Sequence, residues 1–193
     1  MNILVLGPSN AAISNFLTSM GYSVLEHNDS IDTEFLERNS IDFAVSFRYR
    51  YIIKSETISF LQGNIINLHI SYLPWNRGAD PNLWSFLEDT PKGVTIHYID
   101  PGIDTGDIIV QKEVFFDEEK ETLATTYEFL NNTIIQLFNE NCEAILNGRA
   151  SKFRQKGHGT EHKIKDKEPY LYLLAEKGWN TPVLEVKGKA LQK

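Results

Sequence analysis

The 193 residues, 41% of them hydrophobic and 23% charged, have the make-up of an ordinary globular domain, which excludes a disordered or collagen-like chain. That length supports one full hydrophobic core with a small appendage rather than two cores of ordinary size. A net charge of −7 argues against broad nucleic-acid binding, and a single cysteine, Cys142, cannot form an internal disulfide, so a reducing cytoplasm is the expected compartment.

Met1-Asn2 runs straight into Ile3-Leu4-Val5-Leu6 with neither a basic leader nor a long apolar segment, so no signal peptide or membrane span is expected. Ile3–Leu6, the turn Gly7-Pro8-Ser9-Asn10 and an amphipathic stretch from Ala11 to Met20 read as strand, turn and helix. Ser23–Leu25 and Phe43–Val45 are the next strands, with a capped helix from Asp32 to Arg38 between them. Asn64–Ile70, Gly93–Ile99 and Ile108–Phe116 add three more β-branched or alternating runs. Such alternation of strand and helix implies an α/β fold: a doubly wound, mostly parallel, Rossmann-like sheet flanked by helices.

Leu123, Tyr127, Leu130, Ile134, Leu137 and Ile145 lie mostly three or four apart and predict one long helix from Glu121 to Asn147, stopped by Gly148. Cys142 falls within it as a core residue. Residues 1–147 carry 8 Lys or Arg against 21 Asp or Glu, whereas residues 148–193 carry 11 against 5. The expected division is therefore a main domain over 1–147 and a short basic C-terminal extension over 148–193, only partly ordered towards Lys187–Lys193.

The densest polar constellation is Asn67-Leu68-His69-Ile70-Ser71 at the end of a strand, where the two-residue period places Asn67 and His69 on one face. In a doubly wound sheet the carboxyl ends of the strands form the ligand crevice, so the pair stands where a site belongs. Asp100, Asp104 and Asp107 lack the full ligand series of a calcium loop, and His158 and His162 lack the Glu of a zinc-binding helix, so no metal is expected. Ser71 lacks the Gly-x-Ser-x-Gly elbow of a hydrolase.

Asn67-x-His69-x-Ser71-x-Leu73-Pro74-x-x-Arg77-Gly78, then Gly93-Val94-Thr95-Ile96-His97, then Gly102-x-Asp104-Thr105-Gly106-Asp107 together resemble the folate-dependent formyltransferase family. That family includes glycinamide ribonucleotide transformylase, methionyl-tRNA formyltransferase and the sugar N-formyltransferases. The resemblance covers residues 1–147 and is densest from Asn64 to Val114. It implies a formyltransferase fold, 10-formyltetrahydrofolate as cosubstrate, and Asn67, His69 and Asp104 as the catalytic residues. The chemistry suits those types: a formyl oxygen that becomes an oxyanion needs preorganised donors, which an amide and an imidazole supply. A carboxylate beside the imidazole then takes the proton from the attacking amine. The resemblance also implies that Arg48, Tyr49, Tyr51, Ile52 and Ile53, with Asp100, Gly102 and Ile103, hold the pterin.

Within the family, Leu73-Pro74-Trp75-Asn76-Arg77-Gly78-Ala79 and Gly159-Thr160-Glu161-His162 through Asp166 look most like the sugar N-formyltransferases. This implies a dTDP- or UDP-linked amino-deoxysugar as acceptor, in lipopolysaccharide or related surface-glycan synthesis, with Ser71, Trp75, Asn76, Arg77, Gly78 and His97 facing it. Pro8 removes an N–H that a phosphate-binding turn would use, which weakens the glycinamide ribonucleotide alternative. The residues beyond Gly148 are too few for the second domain of a methionyl-tRNA formyltransferase. A folate-binding module without turnover and a hydrolase that uses water as the formyl acceptor are the remaining alternatives. Among partners, nucleic acid and membrane are not expected, and the oligomeric state is left open.

Overall fold

The computed structural model describes residues 1–191. In chain order its strands are β1 (Asn2–Leu6), β2 (Ser23–His27), β3 (Phe43–Phe47), β4 (Ile65–His69), β5 (Arg77–Gly78), β6 (Lys92–Tyr98), β7 (Ile108–Val114) and β8 (Glu161–His162). Its helices are α1 (Ala11–Ser19), α2 (Thr33–Arg38), α3 (Ser55–Phe60), α4 (Pro81–Leu87), α5 (Leu123–Leu146) and α6 (Val183–Val186). By packing, the residues fall into two units that interleave along the chain. The first takes Met1–His69, Ile96–Val110 and Ile135–Arg154; the second takes Ile70–Thr95, Gln111–Ile134 and the chain from Gln155 onward.

In the first unit, Ile3, Leu4, Val5 and Leu6 are all buried, the mark of a strand covered on both faces. β1 pairs in parallel with β2 on one side and β3 on the other, and β3 pairs in parallel with β4. The six-stranded order is β2-β1-β3-β4-β6-β7, with β6 and β7 contributing to both units. The order reverses between β1 and β3, and this switch point is where the carboxyl ends of parallel strands leave room for a ligand. Asn10 caps α1 by accepting from the Ile13 amide, and Asp32 caps α2 by accepting from the Phe35 amide. Leu4, Leu6, Leu36, Ile41, Ala44 and Ile65 form this unit's core between strands and helices.

The second unit has its own core of Leu83, Trp84, Phe86, Leu87, Leu123, Tyr170, Val183 and Val186. Part of the basic C-terminal segment is therefore packed chain. Thr181 and Glu121 carbonyls accept from Leu123 and Val183, and Phe86 and Leu87 carbonyls accept from Gly188 and Ala190. These bonds tie the chain down as far as Ala190, further than its lysine content leads one to expect; Gln192 and Lys193 lie outside the described residues.

Every element expected from the apolar pattern is present, with ends displaced by one to two residues. Helices α3, α4 and α6 were not foreseen, and α6 has only four residues. α3 has only six residues, too short to show a period, and α4 is buried from Asn82 through Leu87, so it has no polar face to reveal one. Since Phe86 is fully buried against Phe116, Phe86→Ala should cost about 3–5 kcal/mol in urea unfolding. A loss below about 1 kcal/mol would mean that this core does not hold the second unit together.

Candidate active site

The candidate site is built by three segments of the first unit. β4 ends at His69, and its period of two sets Asn67 and His69 on the same face. β6 is the neighbour of β4 in the sheet and brings His97 alongside. The loop between β6 and β7 supplies Asp104. That loop is held by the Asp100 carboxylate, whose Oδ1 accepts from the Gly102 amide at 3.0 Å and the Thr105 hydroxyl at 2.5 Å. Asp104 itself has φ of 51°, and a Cβ at Gly106 would lie 1.8 Å from the Tyr98 carbonyl oxygen. Only glycine lets the chain pass there and return to β7.

The result is a carboxylate with polar neighbours on both oxygens. Asn67 Nδ2 donates to Asp104 Oδ1 at 3.0 Å, and His97 Nε2 stands 3.4 Å from the same oxygen. His69 Nδ1 stands 3.6 Å from Oδ2. The Asp104 side chain is only 14% exposed, so these neighbours stand where water would otherwise be. The three residues expected to be catalytic are thus brought together. His97, expected to face the acceptor, is 1% exposed, and its ring contacts Asn67 and Asp104 instead. The signal for that was the β-branched run Val94-Thr95-Ile96 leading into it, which makes β6 an interior strand.

The expected pterin loop begins where β1 and β3 meet backbone to backbone: a Cβ at Gly7 would lie 1.9 Å from the Phe47 carbonyl oxygen. Arg48 follows with φ of 58°. Tyr49 donates its hydroxyl to the Asp29 carbonyl at 2.7 Å and packs with Ile53 on the core; burial pushes its phenol up to about 12. Both residues anchor the loop. Tyr51 and Ile52, at 48% and 84% exposure, are presented outward, as is Ile103 on the Asp100–Asp104 loop. Exposed apolar side chains on two loops suit the faces of a flat heterocycle.

The expected acceptor residues other than His97 lie in the second unit. Ser71 donates to the Trp75 carbonyl at 2.8 Å and closes a turn. Asn76 is fully buried: its amide N–H donates to Thr160 Oγ1, its Oδ1 accepts from the same hydroxyl, and its Nδ2 donates to Thr90 Oγ1 at 2.8 Å. Arg77 and Gly78 form β5, paired in parallel with Glu161 and His162 of β8. A Cβ at Gly159 would lie 1.9 Å from the Pro74 carbonyl oxygen. The two stretches read in the sequence as sugar-enzyme-like motifs are therefore the halves of one packed element. Arg77 directs both Nε and Nη2 to Gln155 Oε1, at 3.1 and 2.6 Å. Gln155 and Thr90 were missed because single polar residues carry no periodic signal, and Thr160 was read only as part of a motif. His162 stacks on Trp84 at 3.7 Å, and among the described residues no cluster of His, Cys, Asp or Glu is placed to hold a metal.

The Gly7–Asn10 turn carries an internal anion. Glu26 of β2 accepts from the Asn10 amide at 3.2 Å and from the Ser9 and Ser14 hydroxyls. Donors at the start of α1 that a phosphate would use are already bonded to a carboxylate.

A doubly wound sheet with an amide, an imidazole and a carboxylate at its carboxyl edge has the parts for acyl transfer to an amine. Residues 12–140 match the formyl transferase family model, and the chain belongs to that family. It is 52% identical to the formyltransferase PseJ from Anoxybacillus kamchatkensis, solved with UDP-4,6-dideoxy-4-formamido-L-AltNAc and tetrahydrofolate; the match covers 98% of this chain and all of that one, with a TM-score of 0.94. A 4-N formyltransferase from Francisella tularensis shares the fold at 23% identity and a TM-score of 0.76, over 87% of this chain and 78% of that one. The methionyl-tRNA formyltransferase of Syntrophus aciditrophicus is 38% identical over 51% of this chain and 32% of its own length. The chain spans about a third to a half of the curated relatives it matches.

The Ser14 hydroxyl, then Ser9, hold the Glu26 carboxyl below its ordinary value of 4.5, with the Asn10 amide adding to the effect against slight burial. A lowered folded value stabilises the protein above about 4.5 and ceases to do so as pH falls through the folded value. Glu26→Gln should therefore melt below the wild type at pH 7, by a margin that shrinks as pH is lowered to 3. A constant difference in melting temperature between the two pH values would remove Glu26 from this role.

Proposed function

We propose that the chain transfers the formyl group of 10-formyltetrahydrofolate to the amine of a UDP-linked 4-amino-deoxysugar. The observation that carries this is full-length similarity to PseJ at 52% identity, together with the Asn67, His69 and Asp104 cluster. In the reaction the acceptor nitrogen attacks the formyl carbon, and negative charge grows on the formyl oxygen. Asn67 and His69 are the donors for that oxygen, and Asp104 receives the nitrogen's proton directly or through water. The exposed edge of residues 51–52 and the loop carrying Ile103 hold the pterin, with Arg48 beside them. Arg77 has the planar fork suited to the diphosphate, with Gly78 next to it and Trp75 two residues before it in sequence. Relatives named methionyl-tRNA formyltransferase supply the competing reading.

Mass spectrometry of reactions containing 10-formyltetrahydrofolate and either UDP- or dTDP-linked amino sugars, glycinamide ribonucleotide or methionyl-tRNA distinguishes the acceptors. The UDP-linked 4-amino sugar should gain one formyl group and the last two should gain none. Formylation of methionyl-tRNA alone would overturn the assignment. Asn67→Ala and His69→Ala should each lower turnover by ~10² or more with unchanged circular dichroism, because each removes a transition-state donor rather than core. Combined, they should lose less than the product of the two, since the groups act as a unit.

A further inference from the structure

His97 has hydrogen-bonding constraints that define its part in the site. Its Nδ1 lies 2.8 Å from the Tyr98 carbonyl oxygen. A carbonyl only accepts, so Nδ1 carries a hydrogen. In the neutral ring Nε2 then holds a lone pair, and its neighbours are Asn67 Nδ2 and Asp104 Oδ1, each at 3.4 Å. The lone pair is repelled by the carboxylate and attracted by an amide hydrogen. Asn67 already gives one hydrogen to Asp104 Oδ1, so its second faces His97. In the resting site both hydrogens of the Asn67 amide are directed at internal partners, and neither is left for an oxyanion.

We propose that His97 is a positioning residue whose protonation releases an Asn67 hydrogen to the developing oxyanion, coupling that release to removal of the proton from the attacking amine. The proposal rests on the formyl-transfer reading. As the amine nitrogen bonds to the formyl carbon, its N–H bond breaks and the proton joins Asp104. From Asp104 it passes to the Nε2 lone pair, which restores the carboxylate. Nε2 is now a donor to Asp104 Oδ1, and the hydrogen that Asn67 directed at it turns to the oxyanion. When the bond from carbon to N10 of the folate breaks, the electron pair goes to N10, which takes the proton back from this pair. The amine has exchanged a hydrogen for a formyl group, and N10 has gained a hydrogen, so no further reactant enters. The titratable groups facing the His97 ring are Asp104 and His69, whose ring lies edge-on with centroids 6.2 Å apart.

Nitrogen-15 NMR of the histidine-labelled full chain tests the resting state without substrate. At neutral pH His97 should be the Nδ1–H tautomer; an Nε2–H neutral tautomer overturns the proposal. His97→Gln tests the coupling, because its amide oxygen can accept from Asn67 yet cannot take a proton. Its kcat should fall ~10²-fold, with both KM values within about threefold of wild type. Binding of 5-formyltetrahydrofolate should be unchanged, and the acid limb of the kcat profile should be shallower by the ionisation of His97. A kcat within about threefold of wild type, or a fall with an unaltered pH profile, would contradict the proposal. A wild-type chain that formylates no acceptor would instead refute the formyl-transfer reading, and the tautomer would still be decided by NMR.

Discussion

The Asp104 carboxylate is a charge kept largely from water, and much of the first unit is arranged around keeping it there. An ion withdrawn from solvent costs several kcal/mol unless hydrogen bonds and opposite charge replace the water. Here the replacements come from Asn67 and His69 on β4, while His97 on β6 closes the remaining side. Each of these side chains is fixed by a strand, and the carboxylate is delivered by a loop that a single added methyl group at Gly106 would displace. A shift of about 1 Å in such a group costs on the order of 10² in rate, so the rigidity of this loop belongs to the chemistry.

The same constraint explains why the polar residues of the second unit read differently in place. Asn76 is one of the most polar residues of its motif, yet it is fully buried and locks two distant stretches through Thr90 and Thr160. Arg77, next in the chain, keeps a half-buried fork steadied by Gln155. Adjacent residues in one motif thus divide between holding the segment and offering charge.

Much of the architecture was legible because burial imposes a period. β1 and β3 are almost wholly apolar, β4 is apolar up to Asn67 and α5 carries a stripe, so each stands out; α3 and α4 lack room or contrast. The site was legible for a different reason. Asn67 and His69 are two apart on a strand, so their convergence follows from geometry, and Asp104 was placed by family resemblance. His97 could be found in the sequence but not understood there, because its contacts depend on β6 lying next to β4 in the sheet. Glu26 had no signal at all: its partners at Ser9 and Ser14 reach it only through the parallel pairing of β1 with β2.

The charge of Asp104 is the central claim, and Asp104→Asn isolates it, since an asparagine oxygen still accepts from Asn67 while the negative charge is gone. Single-turnover rates with 10-formyltetrahydrofolate and the UDP-linked amino sugar should fall by ~10² or more, while 5-formyltetrahydrofolate binds as before. A rate within about twofold of wild type would show that the carboxylate is not what the site depends on.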